Sequence, residues 1–476
     1  MDTTRLAALH DEVLDWRHKG IPAAAHGLTI AEWLASGPPP PTPTHPATAP
    51  PPAPARSTPG GPADPIAGHD PALARGPVAP SGTGAAADAL ARVPGAGPPR
   101  GGGPAGTRRL TTGPLAAELS TPVVTLSAQA LEHNLRAMAA WCADRNLALA
   151  PHGKATMAPQ LWRRQLEAGA AAITVATPFQ AGVARHFGVP RILVANQIAD
   201  PAALARLSVW AQNGTHIALF SDSEVTIDRV SAAALTTIDV IVELGTPGGR
   251  GGARSVEAAL AVAARVAAAP NLRLAGVAGY EGSVASGTDP GSLAAVDDYL
   301  GDLATLYAAL DFETDRPVIS AGGSAYFDRV AAVLGPLAGE AEVLLRSGSY
   351  LVHDHGFYAR MTPAARGGDG PGFRPALEGR AQVLSRPEPG LAILDGGRRD
   401  FPYDQDLPIP LGLKGSGCPQ ISDQHLFLTG APEDLGVGDI VRLGLSHPCT
   451  GFDKWRLIPV VDEETGRVVD AIRTFF

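Results

Sequence analysis

The 476-residue chain is 45% hydrophobic with a formal net charge of -9, enough apolar material for two sizeable cores and too acidic for a general polyanion binder, whose affinity rests on clustered Lys and Arg. No stretch reaches the roughly 18 uninterrupted apolar residues of a membrane span, and residues 1–20 carry charges rather than a signal-peptide core. The three cysteines, Cys142, Cys418 and Cys449, lie far apart and leave one unpaired in any scheme, so the expectation is a cytoplasmic protein with free thiols and no nucleic-acid or membrane partner.

Leu6, Leu9, Val13 and Trp16 stand at near-helical spacing and predict a short helical segment over 1–36. Over 37–110 the composition collapses to Pro, Ala, Gly, Ser and Thr, with the run Pro38–Pro41 as its extreme. Such a segment has little bulky apolar surface to offset its ordering entropy, which predicts a disordered linker. Thr121–Leu126 reads as a strand just ahead of the next domain, and is a candidate to pair with the C-terminal sheet instead. From there to residue 373, β-like runs alternate with Ala-rich helical stretches. The candidate strands are Leu147–Pro151, Ala172–Ala176, Ile192–Asn196, His216–Ser221, Asp239–Leu244, Arg273–Gly279, Pro317–Ala321 and Ala341–Arg346. This alternation predicts an α/β fold, a (β/α)8 barrel over 120–373, with a doubly wound open sheet as its competitor. One intervening helix is predicted over Ser255–Ala268, with Ser255 as N-cap, Pro270 just past the end, and Val256, Leu260, Ala263 and Ala267 on one face. Beyond Phe373 the helical texture stops. Val383–Ser385, Leu391–Leu394, His425–Leu428, Asp439–Leu445 and Arg456–Pro459 read as short strands between Gly, Pro and Asp turns, predicting an all-β domain over 374–476.

The most informative segment runs Leu147-Ala-Leu-Ala-Pro-His-Gly-Lys154-Ala-Thr-Met-Ala-Pro159. A strand ends in a His-Gly-Lys turn and a helix follows, which places Lys154 at the C-terminal mouth of the first barrel strand, where barrel active sites sit. Partial desolvation there weakens the ammonium form and makes the amine a candidate for imine formation; the bland alternative is a solvated lysine at a strand end. The segments Thr121-Pro-Val-Val-Thr-Leu126, Ala130-Leu-Glu-His-Asn134 and Pro151-His-Gly-Lys154 resemble the D-serine dehydratase and D-threonine aldolase branch of the fold-type III, alanine-racemase-like pyridoxal 5'-phosphate (PLP) enzymes. The resemblance covers Thr121 to Phe476. It implies that Lys154 carries PLP as a Schiff base and moves the substrate α-proton. Members commonly have Thr or Ser after this lysine where this chain has Ala155, which leaves the lysine's neighbouring contacts open.

PLP needs a phosphate site, a ring partner and a packing face. Ala321-Gly-Gly-Ser324 and Arg346-Ser-Gly-Ser-Tyr350 are small-residue turns after the seventh and eighth strands, the usual place of a barrel phosphate site. By resemblance Gly323, Ser324, Gly348, Ser349 and Tyr350 match the phosphate-binding positions. The loop Val242-Glu-Leu-Gly-Thr-Pro-Gly-Gly-Arg250 is no Walker loop, since no Gly-Lys-Ser/Thr follows. It resembles the family's Gly-x-x-Arg segment, which makes Arg250 the ring-contacting candidate. Gly279-Tyr-Glu-Gly282 matches the family's Gly-Tyr-Glu-Gly and brings Tyr280 to the site. His152, beside the lysine, is counted with the cofactor-binding residues.

Near the C-terminus, Leu445-Ser-His447-Pro-Cys449 puts two good zinc ligands at i, i+2 around a rigid proline. Two ligands alone do not define a site. The segment resembles the zinc motif of eukaryotic-type D-serine dehydratases, whereas D-threonine aldolases tend to pair the histidine with an aspartate, which suits a harder ion such as Mn2+. The resemblance therefore implies Zn2+ on His447 and Cys449 and a dehydratase acting on a D-amino acid: Lys154 removes the α-proton, the metal polarises the β-hydroxyl, and D-serine would give pyruvate and ammonia. The alternatives are aldol cleavage to glycine and an aldehyde, racemisation (for which no second acid/base is evident), and a non-catalytic PLP carrier, which the β domain argues against. His353-Asp354-His355 stays unassigned between a metal site, a selectivity wall and a hydrogen-bonded loop. Relatives are commonly dimers with sites between the barrel of one subunit and the β domain of another, so a homodimer is expected by resemblance.

Overall fold

A computed structural model of the chain describes residues 115–476, so the readings at 1–36 and 37–110 lie outside the described residues. The described chain opens with β1 (Val123–Ser127) and helix α1 (Ala128–Ala143), whose N-cap Ser127 accepts the Ala130 N–H at 2.9 Å. Eight parallel strands follow: β2 (Ala148–Leu149), β3 (Ile173–Val175), β4 (Arg191–Val194), β5 (His216–Ser221), β6 (Ile238–Leu244), β7 (Leu272–Gly279), β8 (Val318–Ala321) and β9 (Glu342–Leu345). Each falls inside or within a residue or so of an expected run. The sheet order is β2-β9-β8-β7-β6-β5-β4-β3. Its two outer strands also meet, because Ala171 N–H donates to Leu149 O (2.7 Å) and Thr174 N–H to Pro151 O (3.0 Å), which closes the cylinder.

Parallel barrel strands are buried on both faces and therefore read as continuous apolar runs; every residue of β6 is buried. Leu193, Phe220, Ile241, Val318 and Leu344 interdigitate with Ala150, Ala172, Ala218 and Ala278 to fill the barrel interior, so it is a packed core and not a pore. Around it run α2 (Pro159–Glu167), α3 (Pro178–His186), α4 (Pro201–Gln212), α5 (Glu224–Ala233), α6 (Val256–Ala267), α7 (Pro290–Ala308) and α8 (Phe327–Leu334). Their starts are written locally. Thr177, Asp200, Ser223, Ser255 and Asp289 each accept a first-turn N–H, and α3, α4 and α7 have proline at their first position. The α6 helix is where expected, but its buried face is Ala259, Val262, Ala263 and Val266, with Ala267 exposed. A helix this rich in Ala and Val is apolar on more than one side: of the expected stripe Ala263 is buried and Val256 and Leu260 pack partly buried on the core, and the most buried face is offset from it.

The C-terminal sheet contains β10 (Leu377–Glu388), β11 (Leu391–Leu394), β12 (Ile409–Pro410), β13 (Gly417–Ile421), β14 (Leu426–Thr429), β15 (Ile440–Gly444), β16 (Leu457–Val461) and β17 (Val468–Arg473), with the short helices α9 (Phe357–Met361) before it and α10 (Cys449–Phe452) within it. Strand β1 lies in this sheet, antiparallel to β10 (Val123↔Arg380, Leu126↔Leu377) and parallel to β16. The β10 strand is longer than its apolar signal because its inward positions include Gly379 and Ala381, too small to mark an alternation. The β13 strand contains Pro419, tolerated because the strand lies at the sheet's edge. Among the described residues no helix is long and apolar enough to cross a membrane.

At the start of β6, Asp239 is nearly buried and bonds His216 Nε2 (2.7 Å) and Arg273 Nε (2.6 Å). Burial alone would raise its pKa, but the bonds from His216 and Arg273 outweigh that and hold the carboxyl below the usual range. A depressed pKa contributes stability above the unfolded-state value and loses it as pH falls through the folded one. Asp239→Asn should therefore lower stability by roughly 1–3 kcal/mol near neutrality, measured by urea unfolding. The gap to wild type should narrow as pH drops through the carboxylate range; a pH-independent gap contradicts this assignment.

Candidate active site

Lys154 sits in the 3-10 turn Gly153–Ala155 that continues β2 at the barrel mouth. The strand direction is held past β2 itself, since Ala150 N–H donates to Leu345 O (2.7 Å) and His152 N–H to Arg346 O (3.1 Å). Gly153 passes so close beneath Trp162 that a Cβ there would lie 2.8 Å from the indole. Solvent reaches Lys154 from the mouth. Its pKa is nonetheless lowered, first by partial burial, which outweighs the opposing attraction of Cys449, with repulsion from Arg250 and Arg346 adding to the lowering. His152 is held neutral, chiefly by burial and then by Lys154 and Arg346. Its Nδ1 is buried without a partner.

The glycine-rich excursion after β6 is a closed loop, because Gly245 N–H donates to Ala253 O and Ala253 N–H to Glu243 O, both at 2.8 Å. Arg254 laces it from below with bonds to the carbonyls of Thr246, Gly249, Arg250 and Gly251. That leaves the Arg250 guanidinium 4.5 Å from the centre of the Tyr280 ring. Tyr280 is itself fixed through its N–H, which donates to Tyr299 Oη (3.0 Å), while Tyr299 donates to Leu244 O (2.6 Å).

The two small-residue turns differ. In Ala321–Ser324, Glu281 accepts the Gly322 and Gly323 N–H groups at 2.9 and 2.5 Å, so the Gly323 amide already has an acceptor. The turn Ser349–Leu351 follows Gly348, where a Cβ would lie 2.4 Å from His152 O; the lysine turn and this turn touch through their backbones. A helical turn leaves its leading N–H groups without internal partners, which presents donors beside Lys154. The Tyr350 side chain points away into the core, its hydroxyl 3.1 Å from Gln165 Nε2. Behind the mouth lies nearly buried Arg346, bonded to Ser320 Oγ (2.6 Å) and Gly279 O (2.5 Å) and 5.2 Å from the Phe220 ring. Neither Arg346, Glu281 nor Arg254 was picked out by sequence. The first two stood within quoted motifs, and the position of Arg346 at a strand's C-terminal end was the usable signal.

These residues fit PLP. Among the described residues, Lys154 and Arg250 at the mouth form no salt bridge, and Arg346 behind them is attracted by Glu281 and Glu243 without pairing directly, so the mouth holds cationic charge that an anionic ligand would balance. The unpartnered Nδ1 of His152 and the leading amides after Gly348 add polar groups in want of a partner.

The β-domain pair meets this mouth within one chain. The α10 turn, beginning at Cys449, packs on Gly153–Ala155, and Cys449 Sγ is 3.9 Å from Ser349 Oγ. His447 adopts a left-handed backbone (φ 58°), which costs a non-glycine residue on the order of 1–3 kcal/mol. Its Nδ1 is 2.5 Å from Asp404 Oδ2, and Asp404 Oδ1 accepts Thr450 Oγ1–H at 2.5 Å. The bond to Cys449 first, and Asp404 second, raises the imidazole pKa to about 9. A carboxylate on Nδ1 leaves Nε2 for a metal, the usual arrangement of a ligating histidine. Asp404, 43 positions upstream of His447, left no trace in the sequence reading. Among the described residues no three His, Cys, Asp or Glu side chains gather into a metal-binding cluster, so His447 and Cys449 would be the only protein donors to a metal held there. Cys142 and Cys418 are different: burial pushes both thiols up to about 12.

Residues 126–350 match the alanine racemase N-terminal domain and residues 376–461 the serine dehydratase domain. The chain is 31% identical to the D-threonine aldolase of an Arthrobacter species over 346 residues, 70% of this chain and 86% of that protein. The crystal structure of D-threonine aldolase from Filomicrobium marinum superposes with a TM-score of 0.68 at 29% identity, covering 76% of this chain and 97% of that one. D-threo-3-hydroxyaspartate dehydratase from a Delftia species shares the fold, with a TM-score of 0.61 at 21% identity over 75% and 98% of the two chains; variants of D-threo-3-hydroxyaspartate dehydratase have a histidine and a cysteine, two positions apart, each replaced by alanine, the cysteine variant in a metal-free form. The chain thus belongs to the fold-type III PLP-dependent lyases of D-amino acids that join an alanine-racemase-type barrel to a D-serine-dehydratase-type β domain, the family of D-threonine aldolase.

Proposed function

We propose that the chain is a zinc-dependent D-β-hydroxy amino acid dehydratase, eliminating the β-hydroxyl of D-serine or a related substrate to give a 2-oxo acid and ammonia. The observation that carries this reading is the His447–Cys449 pair beside Lys154. A hydroxide is a poor leaving group, and a thiolate and an imidazole favour a borderline-soft ion such as Zn2+ over harder ions. The same His-x-Cys spacing occurs in the D-threo-3-hydroxyaspartate dehydratase variants.

Lys154 is the base. Its pKa is lowered, chiefly by burial, which favours the neutral amine relative to a solvated lysine, and it removes the α-proton of the bound substrate. PLP, when bound, spreads the negative charge left at Cα. Arg250, supported on Tyr280, and the amides following Gly348 bind and orient the anionic groups of cofactor and substrate. His447 and Cys449 would hold the cation, which when bound would supply Lewis-acid polarisation of the β-hydroxyl, and Asp404 holds the His447 ring through Nδ1. Loss of water across Cα–Cβ leaves an enamine that hydrolyses to the oxo acid and ammonia.

The second reading is aldol cleavage, favoured by the 31% identity to a D-threonine aldolase. Product analysis on D-serine and D-threonine decides between them: oxo acid with ammonia for elimination, glycine with an aldehyde for cleavage. In either case Lys154→Ala should reduce turnover by roughly 10²–10⁴-fold or more, and a chelator should abolish activity that added Zn2+ restores. Cys449→Ala should weaken metal binding by at least the roughly 10–100-fold that loss of even an outer-shell partner brings, as measured by competition with a chromophoric chelator. Full activity after exhaustive chelation would exclude the metal from the mechanism.

A further inference from the structure

We propose that Asp354 is a positioning residue that registers the metal-site histidine on the cofactor turn; the inference rests on the reading that His447 and Cys449 hold the metal. Asp354 has no solvent exposure. Its Oδ1 accepts N–H groups from Gly356 (3.0 Å), Tyr358 (2.9 Å) and Ala359 (3.4 Å), the ordinary duty of an aspartate at the start of a short helix. Capping does not account for Oδ2, which accepts the backbone N–H of His447 at 3.0 Å, across 93 positions of sequence and from the other domain.

The bond falls on the residue that most needs it. His447 lies in a sparsely populated left-handed conformation, and the orientation of its N–H is part of that conformation. Asp404 fixes the imidazole from the solvent side, while Asp354 fixes the backbone from the buried side. The neighbours share the seam: Phe357 N–H donates to Ser446 Oγ (2.9 Å), Ser446 donates to Asp406 (2.8 Å), and His355 N–H donates to Leu445 O (3.0 Å).

The other end of this segment is the cofactor turn. His353 N–H donates to Ser349 O at 2.7 Å, His353 is itself left-handed (φ 48°), and Ser349 Oγ lies 3.9 Å from Cys449 Sγ. Residues 349–354 therefore touch both metal donors, Cys449 through Ser349 and His447 through Asp354. The reaction needs this coupling, because a substrate's α-carbon and β-hydroxyl oxygen are two bonds apart and must meet Lys154 and the metal together. The His353-Asp354-His355 run is thus a registration element, with Asp354 as its working residue.

The test uses PLP-loaded full-length protein with Zn2+ as the probe. Asp354→Asn is isosteric but sets an amide donor against the His447 N–H, or turns over and loses the capping bonds. It should weaken Zn2+ binding about 10–100-fold, raise the metal concentration for half-maximal rate, lower the rate even at saturating metal, and leave the visible absorbance of bound PLP near wild type. Asp404→Asn should weaken Zn2+ comparably, and the double variant should fall short of the product of the two effects, since both act through one ligand. Wild-type Zn2+ affinity in Asp354→Asn, or strict additivity with Asp404→Asn, overturns the proposal. A His447→Ala variant that keeps wild-type Zn2+ affinity overturns instead the reading of the metal pair. Should Asp354→Asn fail to fold, hydrogen exchange on the wild type decides: the His447 amide is expected to be protected with or without Zn2+, and exchange at the rate of an exposed loop contradicts the bond.

Discussion

Everything in the site is measured from one close approach, the backbone of Gly348 against the backbone of His152. No side chain fits between them, so the lysine turn and the cofactor turn have a fixed separation that no rotamer can alter. The approach is a consequence of the barrel. Strand β2 is only two residues long, yet it is hydrogen-bonded along β9 beyond its own end and closed on β3 at its other flank. A lysine carried there inherits the rigidity of two neighbouring strands, and a ligand held covalently at one end and by its anionic group at the other must match that separation.

The electrostatics follow from the same crowding. Lys154 and Arg250 stand at the mouth and Arg346 behind it, and no carboxylate pairs directly with any of the three: Glu281 accepts the Gly322 and Gly323 amides and Glu243 bonds Gln197 Nε2 at 2.5 Å, although both attract Arg346 at longer range. Neutralising the excess with a protein carboxylate would leave a self-satisfied cluster with no demand for ligand. Burial first, and the neighbouring cations after it, lower the pKa of Lys154 and of His152, and both shifts favour the neutral, nucleophilic or basic forms.

The strands and the residues at their ends were legible because parallel barrel strands are continuous apolar runs and their C-terminal turns need small or functional residues. What stayed hidden is carried by residues whose role exists only across the chain. Asp404 is an unremarkable loop aspartate until it meets the His447 ring, and Asp354 looked like one polar residue among three. Arg346 was read as the start of a turn, although its side chain runs down to Ser320 and Gly279 on neighbouring strands. The missed edge strand β13 and the offset face of α6 have a simpler cause: proline at an edge and alanine on every side carry little pattern.

The β domain holds His447 and Cys449, the proposed metal pair, over a mouth built by another domain, and it is bolted down at three points. Strand β1 is covalently the start of the barrel yet lies in the β domain's sheet. The segment 353–357 is hydrogen-bonded to 445–447. At the C-terminus, Phe475 N–H donates to Met157 O (2.9 Å), three residues after Lys154, and the Phe475 ring packs 4.8 Å from that of Phe187. A single hinge between the domains would let the metal drift relative to the amine by more than the bond that separates Cα from Cβ. Three attachments, one reaching Met157 just past the lysine turn and one the segment just past Ser349–Leu351, remove that freedom, and on the proposed reading this is how a metal with two protein donors would be aimed at one hydroxyl.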